Sequence, residues 1–525
     1  MTKNTPGATE SERSSLAGSE RDYVAKVSEV WDELARGGKQ PKGTDLAEAM
    51  ANRLKISTGT ASGLLIGFQN LVNYACSEIV VGASALDEER MSVRAAFEAI
   101  RPVLEARLQQ RFDRVDEQSR EVKCLKCGQK CESQGRRERA WQSTVGKLRL
   151  KRRYGWCEGC EQGRAPAQEQ VGLPPGDCTA GLEEVTTLMA TTVPHGMAVN
   201  LVEKLLGLEV SEQSVKSSVE RRGSEVVKLG DEEAREIREF EEKWGKSPPY
   251  ITEQDCGREV EVAYLEVDGV VVMTREEKSD SGAKIKEGRG GPGRKYEVVG
   301  REVKNAVLYE GAACARESES RGVILKKSYV STLGHWTILA ALIWAMMLKQ
   351  GLNRAKLIVI LSDGAEWIRS LCQWLPVNLF LILDLYHVKH KVWETAGALY
   401  GEGTVAAKEW AEQQCERIEQ GLAVKVIESL EFLKGSHHKA RDQIESLQTY
   451  LRNNQDRMDY PRYRAMGLRV GSGAVESANY HVTGGRLKLQ GMRWSENGAA
   501  QMARLRADLF NGVWQERSRR ILKAA

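Results

Sequence analysis

The chain has 525 residues, of which 41% are hydrophobic and 29% charged, and its formal net charge is +4. This length predicts several domains and at least one large core, while the small net charge leaves contact with nucleic acid to be judged from local clusters of charge. The composition excludes a secreted disulfide scaffold, because eleven cysteines are few for so long a chain. No membrane span is predicted, since the longest apolar run, which starts at Thr337, is shorter than the roughly 20 residues needed. The N-terminus has no signal-peptide pattern, so we expect a cytoplasmic protein.

The N-terminal part of the chain predicts no chemistry. Residues 1–20 are small and polar and are expected to form a disordered tail. Residues 21–118 carry apolar side chains at three-to-four spacing, as in LLIGFQNLVNYACSEIV, and predict a helical region.

A four-cysteine pattern lies within residues 119–172. Two C-x-x-C pairs, separated by roughly thirty residues, predict a zinc ribbon that holds one structural Zn²⁺; the four are Cys124, Cys127, Cys157 and Cys160. Between the pairs, KLRLKRRY alternates like a strand and offers five cations to DNA: Lys147, Arg149, Lys151, Arg152 and Arg153. Two interpretations stay open, a ribbon that contacts DNA and a zinc staple that only holds the domain together. Cys131 is a spare or substitute ligand.

Residues 178–245 predict three helices after the loop VGLPPGD. The second helix closes at Gly207, and Ser211 is placed to cap the third. This geometry fits a helix-turn-helix, whose third helix would present four side chains to DNA: Gln213, Lys216, Arg221 and Arg222. A plain helical bundle with a solvated polar face is the alternative.

Residues 251–525 change to a strand pattern. REVEVAYLEVDGVVVMT alternates with period two, two further strands follow, then the apolar helix at Thr337, and then two nearly continuous apolar strands. Three strands in hairpin order followed by helix, strand and strand predict an α/β fold with a mixed sheet, and the strand order suggests an RNase H-like core. The glycine-rich, charged stretch between the first two strands is expected to be a loop.

Two strands end their apolar runs in Asp-Gly, at Asp268 and at Asp363. Glycine after the aspartate lets the backbone approach a ligand while the carboxylate projects beyond the sheet. For Asp268 the alternative is a hairpin turn, which Asp-Gly between apolar residues also signals. For Asp363 the alternative is a cap on the next helix, although the carboxyl end of a strand is where open α/β sheets place ligands.

A third acid, Glu476, lies in GSGAVES, where a helix is expected to begin near Ser472. Three carboxylates would hold two Mg²⁺ (or Mn²⁺) ions, which take oxygen ligands and activate phosphodiester chemistry. The surroundings of Glu476 are cationic, and the residues predicted to contact DNA phosphates there are Arg469, Arg486, Lys488 and Arg493. Alone, the glutamate would be read as a favourable first-turn residue of a helix.

The combination of EVDG, LSDG, DLYH, GSGAVES and RLKLQGMRW resembles DDE-type insertion-sequence transposases of the Mutator-related group that carry a four-cysteine zinc ribbon. The resemblance covers roughly residues 120–510 and implies an RNase H-like catalytic domain with a helical insertion at about 391–460. It implies that Asp268, Asp363 and Glu476 bind the catalytic metals, and that Asp384 and His387 form an accessory D-x-x-H motif.

The resemblance also implies the reaction and the partners. The protein would cleave transposon ends at terminal inverted repeats and transfer the 3′-hydroxyl into target DNA. It would act on double-stranded DNA as a homodimer or higher oligomer. We expect it to associate with the nucleoid and to have no membrane partner. Two rivals stay open: an RNase H-like nuclease or resolvase without strand transfer, and a domesticated, non-catalytic DNA-binding protein.

Overall fold

The computed structural model describes residues 43–77, 84–118, 121–248, 259–277, 296–316 and 322–524. The predicted disordered tail and the glycine-rich loop between the first two strands of residues 251–525 lie outside these ranges. The chain divides into two units, Met1–Ser218 with Leu522–Ala525, and Val219–Ile521. The division falls within one long helix.

The first unit begins with helices and continues into a small sheet. In chain order its elements are α1 Gly43–Leu54, α2 Thr58–Ala75, α3 Ala85–Gln118, β1 Glu132–Ser143, β2 Gly146–Cys157, β3 Gln162–Arg164, α4 Pro166–Val171, α5 Ala180–Thr192 and α6 His195–Leu206, followed by the start of α7 Glu212–Trp244. The three strands form one antiparallel sheet in the order β1-β2-β3.

The long helix α3 packs on the β1–β2 hairpin through a buried aromatic pair. Phe112 and Trp141 are fully buried, with ring centroids 6.3 Å apart in an edge-to-face arrangement. Such pairs contribute roughly 0.5–1.5 kcal/mol beyond their burial.

Side chains of α3 also cover the backbone edge of β2. The amide of Arg149 donates to Glu105 (2.7 Å), that of Lys151 to Gln109 (2.8 Å) and that of Arg153 to Asp116 (3.0 Å). Glu105 and Gln109 lie one helical turn apart and Gln109 and Asp116 two turns apart, and together they accept from three alternate amides of β2. The edge of this basic strand is therefore closed to pairing with another strand.

The three predicted helices of the helix-turn-helix-like segment are present, but the third is not short. Gly207 ends α6 with φ 66°, and the Ser211 hydroxyl accepts from the amide of Ser214 (3.0 Å) at the start of α7. Both predicted end signals are confirmed. However, α7 continues through the charged stretch DEEAREIREFEEKW to Trp244. Gly230 stands between the two patterns, but it keeps the helical conformation, so the two patterns form one helix.

The second unit contains the large sheet and most of the helices. After α7 its elements are β4 Val262–Glu277, β5 Tyr296–Glu310, β6 Cys314–Arg316, β7 Gly322–Ile324, β8 Ser328–Thr332, α8 Trp336–Gln350, β9 Leu357–Ser362, α9 Glu366–Trp374, β10 Leu379–Leu383, α10 Leu385–Tyr400, α11 Val405–Glu419, α12 Ala423–Ser436, α13 Arg441–Asn454, α14 Tyr460–Ala465, α15 Gly473–Ala478, α16 Gly485–Leu487, β11 Trp494–Ser495, α17 Glu496–Phe510 and α18 Trp514–Ala524.

The sheet has the order β10-β9-β4-β5-β8, with β11 beside the far end of β4. β4 pairs antiparallel with β5, and β5 with β8, whereas β9 and β10 run parallel to β4. The prediction of an α/β protein with a mixed sheet is confirmed. Four helices, α10 to α13, occupy the predicted insertion, and α14 begins at its end; the first begins at Leu385 rather than near residue 391.

Alternation along the strands gives the sheet two buried faces. Leu265, Val267 and Ile360 belong to a core shared with α8 and α9, whereas Tyr264 and Leu361 belong to a core shared with the insertion helices and α15. Successive strand residues point to opposite faces, so Glu266, Asp268 and Asp363 point to the second of these faces.

The apolar run that starts at Thr337 forms the buried helix α8, as predicted. Leu339 and Ile343 are fully buried in it, and Gly351 ends it with φ 69°. Among the described residues, no helix is both long and apolar enough to cross a bilayer.

Candidate functional site

Three aspartates form one row across the parallel part of the sheet. Val267 of β4 pairs with Ser362 of β9, and Ser362 pairs with Leu383 of β10. The next residue on each of these strands is an aspartate: Asp268, Asp363 and Asp384. Adjacent strands lie about 4.8 Å apart, so the row brings the backbone positions of Asp268 and Asp363 next to each other.

Asp268 does not stand in a hairpin turn. β4 continues through Gly269 to Glu277 and keeps its pairing with β5 throughout. The hairpin alternative is therefore wrong, and so is the expectation that the strand ends at Asp268. What ends there is the pairing with β9, because β9 stops at Ser362 while β4 runs on.

An amide network fixes the carboxylate of Asp268. It accepts from the side chain of Asn479 (2.6 Å) and from the amide of Gly269 (2.7 Å). Asn479 in turn accepts from Asn305 (2.7 Å), which is the cross-strand partner of Asp268 on β5, and Asn305 also bonds Thr483 (3.0 Å). Asn479 and Thr483 belong to a π-helix, Asn479–Gly484, a rare conformation that is frequent at functional sites.

The charges of the three predicted acids affect one another. Burial raises the pKa of Asp268 to about 6, and repulsion from Asp363 and Glu476 adds to the shift. Partial desolvation of the exposed Glu476 carboxylate and repulsion from Asp384 also raise its pKa. The structure therefore brings the acids within electrostatic reach. Among the described residues, however, only the four cysteines gather three or more ligand atoms within 4.8 Å, so the acids are more widely spaced.

Asp363 directly follows β9 in a tight turn. Its carboxylate accepts from the amide of Ala365 (2.9 Å), and its backbone carbonyl accepts from the Tyr450 hydroxyl (2.7 Å). Gly364 adopts φ 89°, and a Cβ there would lie 2.8 Å from Leu383. Glycine is thus required at this position, and the insertion helix α13 supplies a contact that holds the turn.

Two buried carboxylates hold the GSGAVES segment. Asp384 accepts from the amide (2.7 Å) and the hydroxyl of Ser472, while Glu266 accepts from the amides of Ala474 (2.8 Å) and Val475 (2.9 Å). The helix begins at Gly473 with Ser472 as its cap residue, which confirms the predicted start. Glu476 lies in its first turn and is exposed.

The D-x-x-H motif has a structural explanation in the fold. The second oxygen of Asp384 accepts from the amides of Tyr386 (2.6 Å) and His387 (2.9 Å), so Asp384 caps α10. His387 lies one turn inside, with its ring 6.2 Å from that of Tyr450. Burial lowers the pKa of His387, although the charge of Asp363 opposes the shift. With both oxygens engaged, Asp384 is a positioning residue for α10 and the GSGAVES segment.

The four predicted cysteines form one cluster in the first unit. Their Sγ atoms all lie within 4.8 Å of one another, with Cys127 and Cys157 3.6 Å apart. The backbone amides of Cys127 and Lys126 lower the pKa of the Cys124 thiol to about 6. Cys131 is buried beside the cluster but is not one of its members.

The basic residues of β2 divide between two faces. Lys147, Arg149 and Lys151 are exposed, whereas Arg152 is buried between the rings of Trp141 (5.9 Å) and Tyr154 (5.3 Å). Arg153 is half-buried. Alternation along the strand explains the division, and it makes the predicted DNA contact by Arg152 wrong.

The other predicted DNA-contacting residues also divide by burial. Gln213, Lys216, Lys488 and Arg493 are exposed, and Arg221 and Arg469 are half-buried. Two predictions are wrong, because Arg222 is buried and donates to the Ser518 hydroxyl (2.6 Å), and Arg486 is buried over the ring of Trp494 (4.8 Å). Helical and turn positions at the core can hold an arginine whose aliphatic part packs, which charge counting does not reveal.

Several site residues were not predicted from the sequence. They are Glu266, Asn305, Tyr450, Asn479 and Thr483. A signal existed for Glu266 alone, because it stands two residues before Asp268 in an alternating strand and so shares its face. Asn305 and Tyr450 come from β5 and α13. Asn479 and Thr483 follow Glu476 closely in the chain, but their partners Asp268 and Asn305 are distant in sequence.

Fold and site define a mixed α/β protein with an acidic row at its sheet and a separate four-cysteine cluster. The chain belongs to the uncharacterised protein family UPF0236, whose family model matches residues 192–523. The match includes the whole large sheet and begins after the cysteine cluster. No curated protein matches the chain.

Proposed function

We propose that the protein is a transposase of the DDE type with an RNase H-like core, which cleaves the ends of a mobile DNA element and joins them to target DNA. The observation that carries the proposal is the acidic arrangement: Asp268 on β4 stands next to Asp363, which directly follows the parallel strand β9, and Glu476 is presented by a helix anchored to the same sheet. The family is commonly associated with transposase-like proteins, which is consistent with it.

The sheet order supports the RNase H-like assignment. Three antiparallel neighbours, β4, β5 and β8, are followed by the helix α8, and then two strands parallel to β4 are added on its other side. This is the strand–helix–strand sequence that suggested such a core, and the observed strand pairing is consistent with it.

The acidic residues suit hard divalent cations. All three offer carboxylate oxygens. The raised pKa of Asp268 comes first from its burial and then from repulsion by Asp363 and Glu476, and a bound cation would favour the ionised carboxylate. Two Mg²⁺ (or Mn²⁺) ions held here would supply Lewis-acid activation of the phosphodiester. In the proposed roles, Asp268, Asp363 and Glu476 are the ligands, and Asn479 orients Asp268.

The proposed reaction has two steps. Water attacks the phosphorus at the element's end and breaks the bond to the 3′ oxygen, which leaves a 3′-hydroxyl. That hydroxyl then attacks a phosphodiester of target DNA, forms the new bond and displaces the target's own 3′ oxygen. The exposed basic residues Lys488 and Arg493, which follow the site in the chain, are proposed to bind phosphates.

For the first unit we propose one structural Zn²⁺ on the four cysteines. Four thiolates within a few ångströms fit tetrahedral zinc, and both C-x-x-C turns are ordered around them. The exposed cations of β2 are proposed to contact duplex DNA.

The test uses duplexes tiled across the DNA that flanks the gene, with Mg²⁺ and a supercoiled target plasmid. The wild-type protein should give a cut 3′ end and a joined product. Asp268→Asn, Asp363→Asn and Glu476→Gln should each lower cleavage by a factor of 10³ or more while duplex binding is kept; Asp456→Asn, at an exposed carboxylate, is the matched control. Cutting without joining would favour a nuclease, and binding without cutting would favour a non-catalytic DNA-binding protein.

A further inference from the structure

Glu266 is a fully buried glutamate beside the acidic site. None of its surface is exposed, and three groups donate to its carboxylate: the Tyr309 hydroxyl (2.5 Å) to one oxygen, and the amides of Ala474 (2.8 Å) and Val475 (2.9 Å) to the other. A buried carboxylate is costly unless such partners satisfy it, so its presence here calls for a specific role.

The two amides belong to the first turn of α15, which carries Glu476 only one residue further on. The amides at the start of a helix have no partner within the helix, and a carboxylate satisfies them well. Ala474 has no other backbone acceptor among its described hydrogen bonds, whereas Val475 also donates to the carbonyl of Ser472 (3.1 Å). Glu266 thus anchors this turn on β4, beside Asp384, which holds the preceding residue Ser472.

The position of Glu266 on β4 links two of the proposed metal ligands. It lies two residues before Asp268, and side chains two apart on a strand share a face. One rigid strand therefore carries the first acid and also holds the helix turn of the third. We infer that Glu266 is a positioning residue that sets the location of Glu476 relative to Asp268, an inference that rests on the proposed function.

Glu266 is not itself suited to bind a metal ion. Both of its oxygens already accept hydrogen bonds, and the stacked rings of Tyr264 and Tyr309, 5.1 Å apart, lie on the same face of the sheet. Its contribution to the site is therefore the length of its side chain, which reaches the amides of Ala474 and Val475, rather than its charge.

Two conservative variants separate reach from charge. Glu266→Gln keeps the length and one oxygen that accepts from both amides, while its NH₂ group faces the Tyr309 hydroxyl. Glu266→Asp keeps the charge but is one methylene too short to reach the amides. If Glu266 acts by reach, the Gln variant behaves like the wild type and the Asp variant does not.

The first measurement is hydrogen exchange of the full-length protein without metal or DNA, resolved to the amide of Ala474. We expect Glu266→Asp to speed this exchange about 10-fold or more, because the amide loses its acceptor. Glu266→Gln should change it by less than about 3-fold, and the amides of β9 should be unaffected in both. Tyr309→Phe is the control that removes the other partner of Glu266 without touching α15.

The second measurement is Mg²⁺-dependent cleavage of the flanking-DNA duplexes by the same variants. Glu266→Asp should lower cleavage about 10- to 100-fold and raise the Mg²⁺ concentration needed for half-maximal rate, with rescue in Glu266→Gln. Unchanged Ala474 exchange in Glu266→Asp would overturn the inference whatever the activity. If the wild type does not cleave while the exchange results hold, the proposed function fails and the anchoring of the Glu476 turn stands.

Discussion

Replacing Asp268 by asparagine should stabilise the second unit at alkaline pH. The reason is that burial and nearby negative charges disfavour the ionised form of the Asp268 carboxylate. Its pKa is raised from 3.8 to about 6, so the folded state holds the proton more tightly than the unfolded state. Ionisation of Asp268 therefore costs stability progressively as the pH rises from about 4 to about 6, and the full cost is present above that range. Two pKa units correspond to about 3 kcal/mol.

The asparagine also loses a hydrogen-bond acceptor. Asp268 accepts hydrogen bonds from Asn479 and Gly269, and an asparagine offers only one acceptor oxygen in place of two. A lost hydrogen bond of this kind costs about 1 kcal/mol, which leaves a net stabilisation of about 2 kcal/mol at pH 8. At about pH 4.5 the wild-type residue is largely protonated and the advantage should shrink to about zero.

The assay is urea unfolding of wild type and Asp268→Asn at both pH values without divalent cations. The exposed control Asp456→Asn should leave stability unchanged within about 0.5 kcal/mol. Added Mg²⁺ should stabilise the wild type more than Asp268→Asn, since a ligand that binds only the folded state adds to its stability. Equal or lower stability of Asp268→Asn at pH 8 would show that Asp268 carries no electrostatic strain.

Three further outcomes are expected. Metal analysis of the wild type should find one zinc per chain. Cys157→Ser with Cys160→Ser should abolish it, whereas Cys131→Ser should keep it, because Cys131 is outside the cluster. Replacing Lys147, Arg149 and Lys151 by alanine should make the plot of log DNA-binding constant against log salt concentration less steep by about 2 to 3, if each side chain contacts a phosphate. Lys408→Ala, which changes an exposed lysine of the insertion, should leave that slope unchanged. Tyr450→Phe should slow cleavage a few-fold with unchanged duplex affinity, because it removes one bond, worth about 1 kcal/mol, from the Asp363 turn; an unchanged rate would show that this bond does not position Asp363.

The strands of the second unit were predictable because their side-chain periodicity is local. The apolar runs at β4, β9 and β10 and the buried helix α8 follow from period two, from continuous apolar sequence and from length. The four-cysteine cluster was predictable for a similar reason, since two C-x-x-C pairs need only a hairpin to bring them together.

The spacing of apolar residues does not reveal where two predicted helices form one helix, or where one helical pattern is divided between two helices. The third helix of the helix-turn-helix-like segment and the charged helix after it are one helix, α7, which continues through Gly230 between the two patterns. Conversely, the four-residue spacing from Ile418 to Leu430 is typical of a single helix, yet Gly421 with φ 78° separates α11 from α12. Both helices pack on one core, so the spacing persists across the turn.

Burial of individual charges was also beyond the sequence. Arg152, Arg222 and Arg486 are basic residues that the sequence suggested would contact DNA, but all three are buried. Whether an arginine faces solvent depends on which neighbour covers it, and that neighbour is distant in the chain for Arg222, whose partner is Ser518.

By itself the sequence determined the residue types of the site: two Asp-Gly pairs, one glutamate in a run of small residues, and four cysteines at zinc-binding spacing. These features can be identified from short stretches of sequence. Only the tertiary structure decided that Asp268, Asp363 and Asp384 share one row, that Asp384 is occupied as a cap, and that Glu266 anchors the helix of Glu476. The physical reason is that strand register and helix docking depend on contacts between segments up to two hundred residues apart, where no local pattern records the pairing.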